Sequence, residues 1–100
     1  MIDFSRVADF QWDDGNARKN SDLHDVSQSE AEQVFFNRPL LIVDDTAHSQ
    51  QERRQNAFGI TTAGRRLHVT FTMRNEGTLI RIISARDMSR RERERYGEET

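Results

Sequence analysis

The segment Leu79–Arg95, which reads LIRIISARDMSRRERER, most constrains what this chain can fold into. Its first five residues include three isoleucines and a leucine, and they form the most strand-like run in the sequence. The run is predicted to end at Ser84–Arg86, after which Ser89 and Glu92 form a capping box that opens a C-terminal helix. A strand with a guanidinium in its middle, followed by further arginines, indicates a site for an anion.

The chain has 100 residues, and we expect residues 1–100 to form one domain. We expect a cytoplasmic protein without membrane association, because the sequence lacks a bilayer-spanning apolar run and a signal-peptide pattern. The absence of cysteine agrees with that location and excludes disulfides and thiolate metal sites. The histidines at positions 24, 48 and 68 do not have metal-ligand spacing, and we expect neither a metal nor another cofactor.

Charge is distributed unevenly along the chain. The first fifty residues hold four basic and ten acidic side chains, whereas the last fifty hold eleven basic and seven acidic ones. Fourteen of the fifteen basic residues are arginine, whose rigid fork suits phosphate recognition, although an arginine-rich genome would produce the same bias. The net charge of −2 argues against loose, charge-driven binding to duplex DNA.

Hydrophobic periodicity and turn signals divide the chain into eight predicted elements. Their order is β-α-α-β-β-β-β-α, with short connections between the last four strands. The sequence therefore predicts a two-layer α+β domain, in which an antiparallel meander carries two N-terminal helices packed across it and a short C-terminal helix. In chain order, the predicted elements are a strand or two short strands over 2–13, a polar helix through about Leu23, a helix from Ser27 to about Asn37, strands at Leu40–Val43, Arg54–Thr61, Arg65–Arg74 and Leu79–Ile83, and a helix that begins at Ser89.

Several segments resemble the BrnT toxins, the ribonuclease half of a bacterial type II toxin–antitoxin pair with a RelE-like fold. The specific part is IRIISAR at 80–86, followed by RRER at 90–93 and by Tyr96. Weaker matches occur in the family's order and spacing, so that the resemblance spans about residues 10–96. They are Phe10–Asp13, Asn20, His24, Val26-Ser27, Glu30-Ala31, Val34-Phe35, Pro39-Leu40, Asp45, His48-Ser49, Arg54 and Gly59.

The resemblance implies a metal-independent ribonuclease that inhibits translation and is held inactive by a small antitoxin, BrnA. The other part of BrnA binds operator DNA, so this chain would meet DNA only indirectly, within a possible hetero-oligomer. Three positions depart from the family. Leu23 stands where the family usually has lysine, Asp25 where it has glycine, and Ile60 where it often has arginine. The alternative is therefore a binding module that keeps the antitoxin partnership but has lost efficient cleavage.

Arg81 is the strongest candidate for a catalytic side chain. Strict alternation along the strand puts it on the same face as Ile83 and Ala85. An unpaired buried guanidinium costs too much free energy to persist, so Arg81 either pairs with a carboxylate or faces a cleft and contacts substrate phosphate. Glu30 and Asp45 are the candidate carboxylates.

Arg54 and Arg86 are expected to act with Arg81 by neutralising charge on the attacked phosphate, although Arg54 is equally well explained as a surface charge. His24 is the leading general base because imidazole titrates near neutral pH, and a packing or capping role is the alternative. Glu30 completes a capping box with Ser27 and could also orient His24 or Arg81.

The remaining candidates would bind RNA. Arg90 and Arg91 lie in the first turn of a helix, where positive charge opposes the dipole, so an external anion or acidic partner is expected there. Lys19, the only lysine, is a further candidate contact. Trp12 and Tyr96 could stack on a base, but for Trp12 we favour core packing.

Overall fold

The computed structural model describes residues 4–17, 25–48 and 52–100. These residues form an α+β unit with one five-stranded mixed sheet and two helices, and they include no helix long and apolar enough to cross a membrane. Short 3-10 turns lie at Phe4–Arg6 and Thr46–His48. The strands and helices are β1 (Asp9–Gln11), α1 (Gln28–Phe36), β2 (Leu41–Asp45), β3 (Arg54–Ile60), β4 (Arg66–Arg74), β5 (Leu79–Asp87) and α2 (Arg90–Glu99).

The strand order is β1-β5-β4-β3-β2, and β2 to β5 form the predicted antiparallel meander. The turn from β4 into β5 requires left-handed backbone at three successive residues: Asn75 (φ 51°), Glu76 (φ 55°) and Gly77 (φ 86°). β1 joins the edge parallel to β5, with Asp9 opposite Leu79. The prediction of a purely antiparallel sheet is therefore wrong, because a pairing across 70 residues leaves no local turn signal in the sequence.

The N-terminal segment contains less strand than its alternating pattern predicted. Phe4–Arg6 is a 3-10 turn, closed by a hydrogen bond from the Val7 N–H to the Phe4 carbonyl oxygen (3.2 Å), and the strand covers only Asp9–Gln11. Arg6 and Val7, which interrupt the alternation, mark this turn. Most of the predicted polar helix through Leu23 lies outside the described residues.

Helix α1 covers one face of the sheet, which is the core face. The predicted capping box is present, since Ser27 Oγ accepts from the Glu30 N–H and Glu30 Oε1 accepts from the Ser27 N–H, both at 3.1 Å. The core lacks space between α1 and β3, because a Cβ on Gly59 would lie 2.7 Å from Val34 Cγ1. The buried stripe of α1 packs on sheet residues of the same face: Ala31, Val34 and Phe35 on the helix and Ala57, Leu67, Val69, Phe71, Ile80 and Ile82 on the strands.

Strand β5 contains one extra residue, Ile83. Ser84 pairs with Thr70, whereas the next residue of β4, Phe71, pairs with Ile82. This bulge reverses the alternation, so that Ala85 is buried on the core face and Arg81 and Arg86 share the opposite face. Two predictions are therefore wrong: the strand continues through Ser84–Arg86 to Asp87, and Ala85 does not share a face with Arg81.

Helix α2 lies on the sheet face opposite α1, which we call the polar face. Its predicted capping box is present, with Ser89 Oγ accepting from the Glu92 N–H at 3.2 Å and Glu92 Oε1 accepting from the Ser89 N–H at 2.8 Å. Glu92 contacts Arg86 on β5, and the Tyr96 hydroxyl donates to the carbonyl oxygen of Pro39. At this end of the sheet the described residues form three layers, not the predicted two.

Candidate functional site

Three predicted arginines lie together on the polar face. Arg54 pairs with Thr72 across β3 and β4, and Thr72 pairs with Arg81 across β4 and β5. Two strand spacings place the Cα atoms of Arg54 and Arg81 roughly 10 Å apart. Arg86 lies on the same face, farther along β5 and opposite His68. Only the bulge at Ile83 puts both arginines of β5 on the same face. Arg86 follows Arg81 by five positions, and strict alternation would put side chains at that spacing on opposite faces.

Arg81 pairs with a carboxylate, as one of the two hypotheses required, but the partner is Asp13. Its Nη1 lies 2.7 Å from Asp13 Oδ2 and its Nη2 3.2 Å from Asp13 Oδ1. The prediction that Glu30 or Asp45 is the partner of Arg81 is wrong. The parallel pairing of β1 with β5 places the turn that follows β1, and with it Asp13, beside Arg81. The hydrogen bond from Arg81 is the main reason that the pKa of Asp13 lies below its usual value.

A buried asparagine fixes the turn that carries Asp13. Asn16 is 2% exposed, and its Nδ2 donates to the carbonyl oxygens of Gln11 and Ile82, both at 2.9 Å. Its Oδ1 accepts from the Asp13 N–H at 2.7 Å. Sequence reasoning missed this role of Asn16, although the Asp-Asp-Gly-Asn run did indicate a turn. The Asp13 carboxylate is therefore held in place beside Arg81 by backbone contacts that do not involve Arg81.

Arg86 makes the second bidentate pair of the polar face. Its Nη1 and Nη2 donate to Glu92 Oε1 and Oε2 at 2.8 and 3.0 Å. Burial raises the pKa of Glu92, but the hydrogen bonds from Arg86 and from the Ser89 N–H outweigh burial and lower this pKa to about 2. One carboxylate therefore caps α2 and attaches the helix to β5.

His68 lies beside this pair, and sequence reasoning assigned it no role. Its ring stacks on Phe58 with a centroid distance of 4.6 Å, and its Nε2 lies 2.9 Å from Asn56 Oδ1. Its Nδ1 is buried 3.3 Å from Glu92 Oε2 but does not form a hydrogen bond. Burial, and then the positive charge of Arg86, lower the pKa of His68. The only sequence signal was its outward position on β4 beside Thr70.

Glu30 belongs to a different cluster, centred on Arg65. Arg65 Nη1 lies 3.1 Å from Glu30 Oε2, while Arg65 Nε and Nη2 bind the Asp87 carboxylate at 2.7 and 3.0 Å. The hydrogen bond from the Ser27 N–H, and then Arg65, lower the pKa of Glu30. The carboxylate pairs of Arg65 raise its own pKa, Asp87 most of all. The prediction that Glu30 orients Arg81 is wrong, and Glu30 instead joins α1 to the ends of β4 and β5.

Of the six remaining predicted side chains, three lie on α2 and three do not. Arg90 is exposed at the helix start, 3.4 Å from Glu94, and the exposed Arg91 has no ion-pair partner among the described residues. Tyr96 is 6% exposed and anchors the helix, so its ring lies in the interior. Trp12 packs against the core, as favoured, and donates to Glu32 Oε2 at 2.7 Å. The predicted residues His24 and Lys19 lie outside the described part of the chain.

A comparison with known protein families covers most of this chain, including the strand that carries Arg81 and Arg86. The sequence model of the ribonuclease toxin BrnT, of type II toxin–antitoxin systems, matches residues 12–92. This chain belongs to the BrnT family. The resemblance read from the IRIISAR strand is thereby confirmed, and an antitoxin partner follows from the type of system. No curated protein matches the chain.

In this BrnT protein the polar face can present positive charge to a phosphodiester. The guanidinium groups of Arg54, Arg81 and Arg86 come from two strands of one sheet. Across residues 4–17, 25–48 and 52–100, histidines and carboxylates do not gather in groups of three or more that would hold a metal ion. The guanidinium groups of this face can stabilise negative charge that develops on a bound phosphate.

Proposed function

We propose that this BrnT protein is an endoribonuclease that cleaves RNA without a metal, inhibits translation in the cytoplasm and is neutralised by a BrnA-like antitoxin. The observation that carries the proposal is the bulge at Ile83, which puts Arg81 and Arg86 on the same face as Arg54. An arrangement of three arginines around one stretch of sheet suits an anionic backbone better than it suits a neutral substrate.

In the proposed reaction the ribose 2′-hydroxyl attacks the adjacent phosphorus and the 5′-oxygen leaves. Negative charge grows on the phosphoryl oxygens in the pentacovalent transition state, where Arg54 and Arg81 stabilise it. Arg86 contributes its charge from farther along β5 while it holds α2. His24 takes the hydroxyl proton or protonates the leaving oxygen, the role that the family resemblance implies for it.

The pair of Arg81 with Asp13 supports the assignment of Arg81 as the phosphate-binding residue. A guanidinium fork binds carboxylate and phosphate in the same bidentate geometry, and Asp13 holds such a fork at 2.7 and 3.2 Å. The side chains of Asp13 and Arg81 are 53% and 18% exposed, so a phosphate would reach the fork from solvent by replacing the carboxylate. Asp13 would thus occupy the phosphate position when RNA is absent.

The proposed regulation follows the organisation of a type II system. A BrnA-like antitoxin would bind the toxin in a hetero-oligomer and carry the contact with operator DNA. The meander with α1 on its core face is compatible with a RelE-like arrangement, which we include in the proposal. Cleavage of RNA by the released toxin would then inhibit translation.

A second candidate is a binding module that keeps the antitoxin partnership and cleaves poorly. It is favoured by the carboxylate pairs of Arg81 and Arg86, and by Ile60, where the family often has arginine. Ile60 ends β3 opposite Arg66, and its carbonyl oxygen accepts from Asn37 Nδ2 at 2.9 Å. An apolar residue there removes one positive charge from the end of the strand.

A cleavage assay with purified, antitoxin-free protein separates the two candidates. End-labelled single-stranded RNA is incubated with the protein in excess chelator, and Arg54→Ala is compared with Arg53→Ala. Arg53 is the matched control, since it is adjacent in sequence and pairs with the exposed Asp44 at 3.0 Å. We expect cleavage by the native chain and the Arg53 variant and a loss of about a hundredfold in the Arg54 variant. Binding without cleavage would favour the second candidate, and cleavage that requires a divalent ion would contradict metal independence.

A further inference from the structure

The geometry points to a pocket for one nucleobase of the RNA, between α2 and the β2–β3 end of the polar face; this inference rests on the proposed function. The cavity measures about 280 Å³, a volume that suits one heterocyclic ring rather than a longer segment. We call it the base pocket. Its lining is mixed and includes one carboxylate: Leu41, Val43, Asn56, Phe58, Arg91, Glu92, Arg95 and Tyr96.

Half of the residues that line the base pocket are apolar or aromatic, and contacts within the fold hold two of their rings in place. Val43 pairs with Asn56 across β2 and β3, so the two side chains lie next to each other on the floor. Phe58 is held by its stack on His68, with an angle of 14° between the rings. The Tyr96 ring is held by its hydroxyl, which donates to the Pro39 carbonyl oxygen. Flat rings held in place suit the faces of a base, which protein aromatic rings commonly contact in single-stranded RNA.

Asn56 gives the pocket one oriented polar group. Its Oδ1 accepts from Thr70 Oγ1 at 2.9 Å and lies 2.9 Å from His68 Nε2. These two contacts leave the amide nitrogen of Asn56 to donate to an acceptor on the base, either a carbonyl oxygen or a ring nitrogen. Asparagine amides read base edges in this way. A pocket with such a group discriminates between bases, whereas contacts to phosphate alone do not.

Two arginines at the rim supply positive charge for the flanking phosphates. Arg91 and Arg95 are four residues apart on α2 and lie on the same side of the helix. Arg91 has no ion-pair partner among the described residues, and Arg95 pairs with Glu99 at 3.0 Å in an exposed contact. The position of Arg91 beside the base pocket accounts for positive charge in the first turn of the helix, where it opposes the dipole.

The position of the base pocket relative to Arg54 favours RNA over a peptide. Asn56 lies two residues from Arg54 on the same face of β3, a separation of about 7 Å. A base inserted beside Asn56 therefore places its own sugar and phosphate next to the arginines of the polar face. A peptide would gain from that proximity only if it carried carboxylates at this spacing, whereas every nucleotide carries a phosphate.

The test uses a substitution, Val43→Phe, that fills the base pocket, and it measures which base the protein prefers. Three proteins are compared: the native chain, Val43→Phe and the control Ala63→Phe, which adds the same ring at an exposed turn. Each is incubated in chelator with a pool of single-stranded RNAs of random sequence. Cut positions and the binding of the same pool are both read by sequencing, and circular dichroism establishes folding. Arg91→Ala is a second variant that leaves the walls unchanged.

We expect the native chain and Ala63→Phe to show the same base preference at one position near the cut. Val43→Phe should lose that preference and cleave about tenfold more slowly, and Arg91→Ala should keep the preference while it binds all sequences more weakly. An unchanged preference in folded Val43→Phe would overturn the base pocket even if cleavage persists. If no protein cleaves but native binding shows a preference that Val43→Phe loses, the base pocket stands and the ribonuclease proposal falls. Loss of antitoxin binding in Val43→Phe with base preference intact would identify a protein-docking site and overturn the inference.

Discussion

Arg81 and Arg86 lie on the same face of the same strand, and each makes a bidentate pair with a carboxylate, yet the two pairs differ in what they hold. The partner of Arg86 is Glu92, whose side chain is 23% exposed and also caps α2. The partner of Arg81 is Asp13, whose side chain is 53% exposed and whose turn is fixed by Asn16. The first pair is one of the contacts that hold α2 on the sheet, beside the buried ring of Tyr96, whereas the second pair holds no helix.

The difference separates a structural ion pair from one that a ligand can replace. A carboxylate that also makes a helix cap cannot leave without cost to the fold, since the cap is worth about 1 kcal/mol by itself. Asp13 is held by its own backbone contacts and can give up Arg81 to a competing anion. We therefore expect Arg81 to contribute mainly to activity and Arg86 mainly to stability.

The largest expected effect is on cleavage by Arg81→Ala. Removal of the guanidinium should reduce cleavage by about 10²–10³-fold, the size of effect seen when one transition-state donor is lost. Arg86→Ala should reduce cleavage by only about tenfold and lower the melting temperature more. Rates with labelled RNA, melting curves, and growth arrest on induced expression in a bacterium provide the measurements. The comparison fails if Arg81→Ala unfolds the protein or if the two variants lose activity equally.

The next effect is on stability, in Glu92→Ala. This variant loses the Arg86 pair and half of the capping box, and we expect the free energy of unfolding to fall by about 2–3 kcal/mol. The control is Glu94→Ala on the same helix, whose pair with Arg90 is exposed, and there we expect less than about 0.5 kcal/mol. Urea denaturation measures both. Equal losses in the two variants would show that Glu92 does not attach α2.

The pH dependence of the free energy of unfolding tests the contribution of the Glu92 carboxylate separately. The folded-state pKa of Glu92 is about 2, against 4.5 for the unfolded chain, so its contribution is present above pH 4.5 and is lost as the pH falls toward 2. This contribution is at most about 3 kcal/mol. Urea unfolding of the native chain and Glu92→Gln is compared between pH 6 and pH 2. The difference between them should shrink as the pH falls, and a constant difference would contradict the low pKa.

The smallest expected effect is tighter RNA binding by the Asp13→Asn variant. Without the carboxylate, the fork of Arg81 no longer has an anionic competitor, and RNA binding should tighten by about two- to fivefold, as expected for loss of an exposed ion pair. Fluorescence anisotropy with labelled RNA measures this, and Asp14→Asn serves as the neighbouring control. Weaker binding in Asp13→Asn would mean that the carboxylate positions Arg81 for RNA and does not compete with it.

Local signals in the sequence predicted much of the fold. The two capping boxes, the buried stripe of α1 and the turns of the meander all formed as predicted, because each depends on residues a few positions apart. The packing of Trp12 was predicted for a similar reason, as it follows the alternation of β1. The residues alone indicated only a site for an anion. The family resemblance added the ribonuclease toxin family to that prediction.

What the sequence did not predict depends on contacts between distant residues. The partner of Arg81 is 68 positions away and that of Glu30 is 35 positions away, and neither pairing leaves a periodic trace. The single extra residue in β5 also escaped detection, since the run Ile82-Ile83 is compatible with either face. His68 was missed because its role arises only when Asn56, Phe58 and Glu92 meet around it.

The bulge at Ile83 also bears on which genetic changes the protein can tolerate. Replacing Ile83 by another side chain leaves the count of residues in β5 intact, so both arginines keep their side of the sheet. Deleting one residue between Arg81 and Arg86, or inserting one, turns one of them toward the interior. In a saturation library of variants, position 83 should therefore accept many different side chains, whereas the stretch from Arg81 to Arg86 should accept almost no change in length.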